Sequence, residues 1–176
     1  MIVVSYGTRG NRYERHLASL DSRLAALGMR REMHLVDRTR QALKCLLKPT
    51  VILDALERRR KTVVWLDADT TVLDRFEVPG GEWDIGTIPN TNPRSRSKNP
   101  TSAFVLAFRP TAATIQFLQV WKYLCDWHEL CPNRQDHKRF TWTREMRQDF
   151  YTEIDMSECL KGTLIRDVGT VKEAAI

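Results

Sequence analysis

Val63-Val64-Trp65-Leu66 is an unbroken apolar run that stops abruptly at Asp67-Ala68-Asp69-Thr70-Thr71. An apolar run without polar alternation suits a strand covered on both faces, so Thr62 to Leu66 is predicted to be a central strand. The carboxylates of Asp67 and Asp69 sit one residue apart at its tip. Both can point the same way once the backbone turns. Hard oxygen ligands in this setting suit Mg²⁺ or Mn²⁺, which keep positions open for phosphate oxygens. The stretch is a candidate centre for handling a diphosphate.

What precedes the run has the rhythm of an α/β fold. Ile2 to Tyr6 reads as a short buried strand ending at Gly7. Tyr13, Leu17, Leu20, Leu24 and Leu27 recur at helical spacing, with Asn11 as the N-cap and Gly28 just past the end. Glu32 to Val36 reads as a second strand, and Pro49 opens a helix with Val51, Ile52, Ala55 and Leu56 on its apolar face. The acidic pair thus ends the third strand of a strand-helix-strand-helix-strand opening. In open α/β sheets ligands gather at strand carboxyl ends near a switch in strand order. The Tyr6-Gly7-Thr8 turn is predicted to share that cleft.

Further along, Asp84 to Ile88 and Ala103 to Phe108 read as strands, Thr111 to Glu129 as a long helix, Met146 to Ile154 as a helix and Thr163 to Ile165 as a last short strand. The polar stretch from Pro132 to Arg144 has no clear periodicity. Asn90 to Thr101 is polar, basic and punctuated by prolines, hence a loop. No repeat or linker divides the 176 residues, so one domain is expected, with a nucleotide- and metal-binding half at 1–75 and an acceptor-binding half at 76–176.

Composition narrows the partners. The formal net charge of +6 favours anionic partners such as nucleotide phosphates or nucleic acid. Part of it, Arg58-Arg59-Arg60-Lys61, fits a helix C-terminus, where cations need no ligand. No apolar run approaches the roughly 20 residues that cross a bilayer. Met1-Ile2-Val3-Val4-Ser5 lacks a basic leader, so a cytoplasmic setting with reduced thiols is expected. Cys125, His128 and Cys131 share a helix face, but a zinc site needs a fourth ligand and none is obvious nearby, so burial of small apolar thiols is the preferred account.

Two enzyme chemistries compete for the acidic pair. Asp67-Ala68-Asp69-Thr70-Thr71 satisfies the Asp-x-Asp-x-Thr pattern of haloacid-dehalogenase-type phosphatases, with Asp67 as nucleophile and Asp69 as acid/base. That pattern belongs on a first strand and calls for a later Gly-Asp motif, whereas Gly162 and Gly169 are not followed by Asp. More of the chain resembles the nucleotide-sugar-dependent glycosyltransferases of the GT-A fold. The resemblance rests on Val3-Val4-Ser5-Tyr6-Gly7-Thr8, the helix with Leu17-Ala18-Ser19-Leu20, Lys48-Pro49 with Ile52-Leu53-Asp54-Ala55-Leu56, the Trp65-Leu66-Asp67-Ala68-Asp69-Thr70 strand, and Ser102 to Phe108 with Phe117-Leu118 and Trp121. It covers about two-thirds of the chain and fades after Cys131.

The resemblance implies a mixed, mostly parallel sheet whose first half is Rossmann-like, flanked by helices, and transfer of a sugar from a nucleoside diphosphate donor to a hydroxyl, assisted by Mn²⁺ or Mg²⁺. Asp69 would bind the metal. Asp67 would hold the donor ribose or the metal. Asp167 would stand in for the family's metal-binding His, which has no match here. Tyr6, Gly7, Thr8 and Arg9 would shelve the nucleotide, and Lys48 would meet phosphate. Asp149 is the candidate catalytic base, with Asp136 as its rival. Ser102 and the basic loop residues Arg94, Arg96 and Lys98 would receive the acceptor, either a saccharide or DNA carrying a hydroxymethylated base. Each residue also has a plain structural role: turn capping for the aspartates, packing for Tyr6, solvated surface charge for the rest. A basic domain that binds nucleic acid without catalysis, through stacking tryptophans, is the remaining alternative.

Overall fold

Strand alternation in β1 (Ile2–Thr8) sorts the molecule into two layers. Ile2, Val4 and Tyr6 enter one apolar cluster and Val3 enters the other. The same division recurs in β3 (Val63–Leu66), where Val63 and Trp65 face one layer, Val64 and Leu66 the opposite one. The computed structural model describes residues 1–39, 46–90, 100–127, 136–168 and 171–174, with side chains omitted at 136–137, 165–168 and 171–174.

A six-stranded sheet carries the site. Its order is β2 (Arg31–Val36), β1, β3, β6 (Thr101–Phe108), β5 (Ile85–Pro89), β7 (Glu153–Asp155). β1 pairs in parallel with β2 and β3, and β5 with β7, while β6 runs antiparallel to both neighbours. The mixed sheet with a parallel, Rossmann-like first half matches the expectation from sequence. The chain leaves β1 for a neighbour on one side and later returns to the other side. The crevice outside the carboxyl ends of β1 and β3 is therefore a topological switch point, the favoured ligand position in such sheets.

Helices α1 (Arg12–Ala26), α2 (Lys48–Arg59) and α3 (Ala112–Asp126) form where sequence placed them. The Asn11 side chain accepts from the Tyr13 amide at 2.8 Å, and Gly28 takes φ +65° just past the end. Leu17, Leu20 and Leu24 form the buried stripe of α1. At Gly7 a Cβ would lie 2.5 Å from the Tyr13 carbonyl oxygen and 2.9 Å from Leu17 Cβ. The bare backbone there lets α1 sit against β1.

The second half departs from expectation. The helix anticipated over Met146 to Ile154 instead spans Asp136–Arg147 as α4, and Glu153–Asp155 is strand β7 beside β5. Tertiary packing decides this. Phe140 lies edge-on to Trp121 at 4.9 Å and to Phe117 at 5.5 Å, an aromatic anchor in a segment whose polarity hides its helical period. Ile154 pairs with Gly86, where a Cβ would lie 2.5 Å from Met156 Sδ. Met156 leads into α5 (Ser157–Leu160). A small antiparallel sheet not foreseen joins β4 (Thr70–Val72), β8 (Leu164–Val168) and β9 (Val171–Ala174). It is tied to α1 by Arg23, whose Nε donates to Val72 O at 2.7 Å and whose guanidinium also binds Leu73 O.

Among the described residues one charge is buried without a partner. Arg139 in α4 is fully buried, and its guanidinium nitrogens have no hydrogen-bond partner among the described residues. An unpaired buried cation opposes folding by several kcal/mol, whereas apolar side chains of similar volume fill such sites without that penalty. Arg139→Met is expected to raise the urea midpoint, with a gain of about 1–4 kcal/mol. A loss of stability in that variant would show that the guanidinium is paired in solution.

Candidate functional site

The tip of β3 is held by a buried ammonium. Lys48, at the first position of α2, is 1% exposed, and its Nζ lies 2.9 Å from Asp67 Oδ1. Two further contacts fix it. Nζ donates to the Ala103 carbonyl at 2.8 Å and lies 5.2 Å from the centre of the Trp65 ring. The Trp65 indole N–H donates to the same Asp67 oxygen at 2.9 Å. The Asp67 amide bonds to Phe104 O at 2.9 Å, and the Thr70 amide to Asp67 O at 2.9 Å. The carboxylate of Asp67 is thus oriented by α2, β3 and β6 together. Lys48 is a counter-ion to Asp67 rather than a solvated residue.

Asp69 is half-buried two residues on, where the chain enters β4. Its charge reaches across to α1. The Arg12 guanidinium is held above its ordinary range by a hydrogen bond to the Tyr13 hydroxyl, by the charge of Tyr13, and by the field of Asp69. Arg12 also lies 5.0 Å from the Tyr13 ring centre. Sequence reasoning passed over Arg12. The available signal was its place in the first turn of the helix after the Gly7-Thr8 turn, at the mouth of the same cleft.

Beyond the acidic pair the chain enters a short ladder. Thr70 pairs with Arg166, Thr71 with Ile165 and Val72 with Leu164. Asp167 is the next residue of β8 and pairs with Lys172 of β9.

Other candidates sort differently. Thr8 is buried at the end of β1. Arg9 follows it, ion-paired with Asp37 at 3.2 Å on the open surface. Tyr6 is 6% exposed and lies edge-on to Trp65, with ring centres 5.5 Å apart. Its ring is committed to the core by strand alternation and does not form the stacking shelf expected of it. Ser102, half-buried, opens β6 opposite Ile88. Arg94, Arg96 and Lys98 lie outside the described residues.

Asp149 lies exposed in the turn beyond the end of α4, three residues from Thr152, whose amide and hydroxyl bond to Asp84 at 2.7 and 2.9 Å. The helix expected over Met146 to Ile154 does not enclose it, since α4 ends at Arg147. Asp136 begins α4.

Of the weighed zinc group, Cys125 is 1% exposed on the core side of α3, while His128 and Cys131 lie outside the described residues. Among the described residues no three His, Cys, Asp or Glu side chains converge as a metal cage. The tryptophans do not form a stacking surface for nucleic acid either. Trp65, Trp83 and Trp121 are buried, and Trp127 alone is widely exposed among those described.

No protein-family model matches the chain, and no curated protein matches its sequence. Solved structures do match its shape. A glycosyltransferase involved in the glycosylation of the major capsid of PBCV-1 aligns with a TM-score of 0.66 at 11% identity, over 97% of this chain and 95% of that one. This chain has the GT-A glycosyltransferase fold. The glycosyltransferase GlyE of Streptococcus pneumoniae TIGR4, in its apo form, aligns with a TM-score of 0.56 at 14% identity, over 87% of this chain and 44% of GlyE. The galactosyltransferase LgtC, solved with donor and acceptor sugar analogs, aligns at 0.51 and 13% identity, over 88% of this chain and 73% of that one. Among the described residues no helix is long and apolar enough to cross a membrane.

The Lys48–Asp67 pair makes a direct stability claim. Removing one partner of a buried pair costs about 3–5 kcal/mol, and the 16% exposure of Asp67 places this pair at the lower end. Lys48→Met is expected to lose about 3 kcal/mol in urea unfolding, with part recovered by adding Asp67→Asn. A loss below about 0.5 kcal/mol, the range of an ordinary surface substitution, would contradict the pairing.

Proposed function

We propose that the chain is a metal-dependent glycosyltransferase that moves a sugar from a nucleoside diphosphate donor to an acceptor hydroxyl. The observation that carries this reading is the acidic pair at the switch point of a GT-A sheet, and Asp167, one residue past the Thr70–Arg166 pair in β8, is the candidate third ligand. Carboxylate oxygens are the hard ligands that Mn²⁺ and Mg²⁺ take, so the donor set fits the ion. Asp69 is the direct ligand, Asp167 completes the set, and Asp67 holds the donor ribose or a metal-bound water. A divalent cation bound there supplies charge to offset that growing on the departing diphosphate.

The chain's own residues do the rest. Lys48 and Trp65 lock one Asp67 oxygen, so the carboxylate is oriented before donor arrives. Arg12, within the field of Asp69, turns from that carboxylate toward the diphosphate. Arg9 lies at the same mouth. In the transfer the bond from the sugar's anomeric carbon to the diphosphate oxygen breaks, the diphosphate leaves with the bonding pair, the acceptor oxygen bonds to that carbon, and its proton passes to the departing diphosphate. The GT-A fold favours this reading over the phosphatase and the non-catalytic binding domain.

Asp69→Asn is expected to keep its circular dichroism and its urea midpoint while losing metal-dependent donor hydrolysis by about 100-fold or more. Full hydrolysis by that variant would remove Asp69 from the centre.

A further inference from the structure

A groove separate from the acidic pair runs between α4 and β7. Its volume is 340 Å³, within the range of about 300–1,000 Å³ typical of small-molecule sites. Thr141, Arg144, Glu145 and Gln148 line one wall at the spacing of a single helix face. Tyr151, Glu153 and Pro100 form the other.

Its polar groups are fixed in advance. Arg144 grips Glu153 through two bonds, Nε to Oε2 at 2.9 Å and Nη2 to Oε1 at 2.7 Å. Its remaining arm donates to Thr101 Oγ1 at 2.5 Å. Thr87 Oγ1 donates to Glu153 Oε1 at 2.6 Å, so the carboxylate is pinned from the sheet as well. The Tyr151 ring lies edge-on to Phe117 with centres 5.2 Å apart. Its hydroxyl is pushed up to about 12 by burial and by the Glu153 charge, so it stays a neutral donor.

The lining selects the occupant. Two carboxylates, Glu145 and Glu153, face one guanidinium already matched by Glu153. Phosphate or another anion would meet a net negative wall. A rigid aromatic ring among fixed donors and acceptors suits an uncharged, hydroxyl-rich molecule. The groove also touches the catalytic cleft through β6. Thr101 and Pro100 border it, and three residues on, Phe104 O receives the Asp67 amide. Three extended residues span at most about 10 Å.

We propose that this groove is an acceptor subsite for an uncharged saccharide, holding sugar units beyond the one whose hydroxyl reacts. The proposal rests on the glycosyltransferase reading for its role, and its binding test stands apart from catalysis. Saturation-transfer NMR with neutral di-, tri- and tetrasaccharides of glucose, galactose and N-acetylglucosamine is expected to show transfer from the wild-type protein to the sugars. Gln148→Trp, an exposed position whose ring would fill the groove, is expected to reduce it at least fivefold. Tyr151→Phe keeps the ring packing and loses the hydroxyl, and is expected to weaken transfer to a smaller degree. Uronic-acid saccharides and a DNA duplex bearing hydroxymethylcytosine are expected to show no transfer that Gln148→Trp removes. In transfer assays Gln148→Trp should raise KM for trisaccharide acceptors at least tenfold more than for monosaccharides. A silent neutral panel, or transfer unchanged in Gln148→Trp, overturns the proposal. Wild-type donor hydrolysis without acceptor reports separately on the parent reading, so the two can fail independently.

Discussion

An ammonium group with 1% exposure, 2.9 Å from a carboxylate and 2.8 Å from a backbone carbonyl, is the constraint that organises this molecule's cleft. Lys48 brings the start of α2 against the tip of β3 and the middle of β6, so three elements distant in sequence meet at one nitrogen. The pair is costly to desolvate and survives because Trp65 and Ala103 satisfy the groups that the ion pair leaves over. Its return is positional: Asp67 cannot rotate freely, and the chain beyond it turns into β4.

The topology gives that corner its chemical meaning. β1 and β3 are neighbours whose connections diverge, leaving an open crevice at their carboxyl ends. α1 begins on one side of the crevice and brings Arg12 within the field of Asp69. The corner thus holds the Lys48–Asp67 pair, with Arg12 near enough to Asp69 to feel its charge.

Sequence showed the first half of the fold well because local signals agreed there. The Asn11 cap, the Leu17-Leu20-Leu24 stripe, Gly28 and the unbroken Val63–Leu66 run all pointed to the observed elements. The second half hid its pattern. α4 is rich in Arg, Thr and Glu, and its anchoring rests on Phe140 meeting Phe117 and Trp121, contacts made between helices and invisible to periodicity. A helix was expected over Met146–Ile154, whereas α4 ends at Arg147 and Glu153–Asp155 is a strand. At the site the acidic pair was legible from an apolar strand ending in carboxylates. The burial of Lys48 and of Tyr6 was not, since both depend on which face of β1 and β3 meets α2. The short β4–β8 ladder was not legible either, since three residues of β4 could not announce it.

The account turns on a divalent cation and a nucleoside diphosphate occupying the corner together. Electron paramagnetic resonance of Mn²⁺, titrated with protein in the presence and absence of uridine, guanosine, adenosine, cytidine and thymidine diphosphates, measures this directly. The six-line signal of the free ion should fall, and one nucleotide should tighten Mn²⁺ binding by the same factor that Mn²⁺ tightens its own binding. A free-ion spectrum unchanged by protein under every nucleotide would contradict the account.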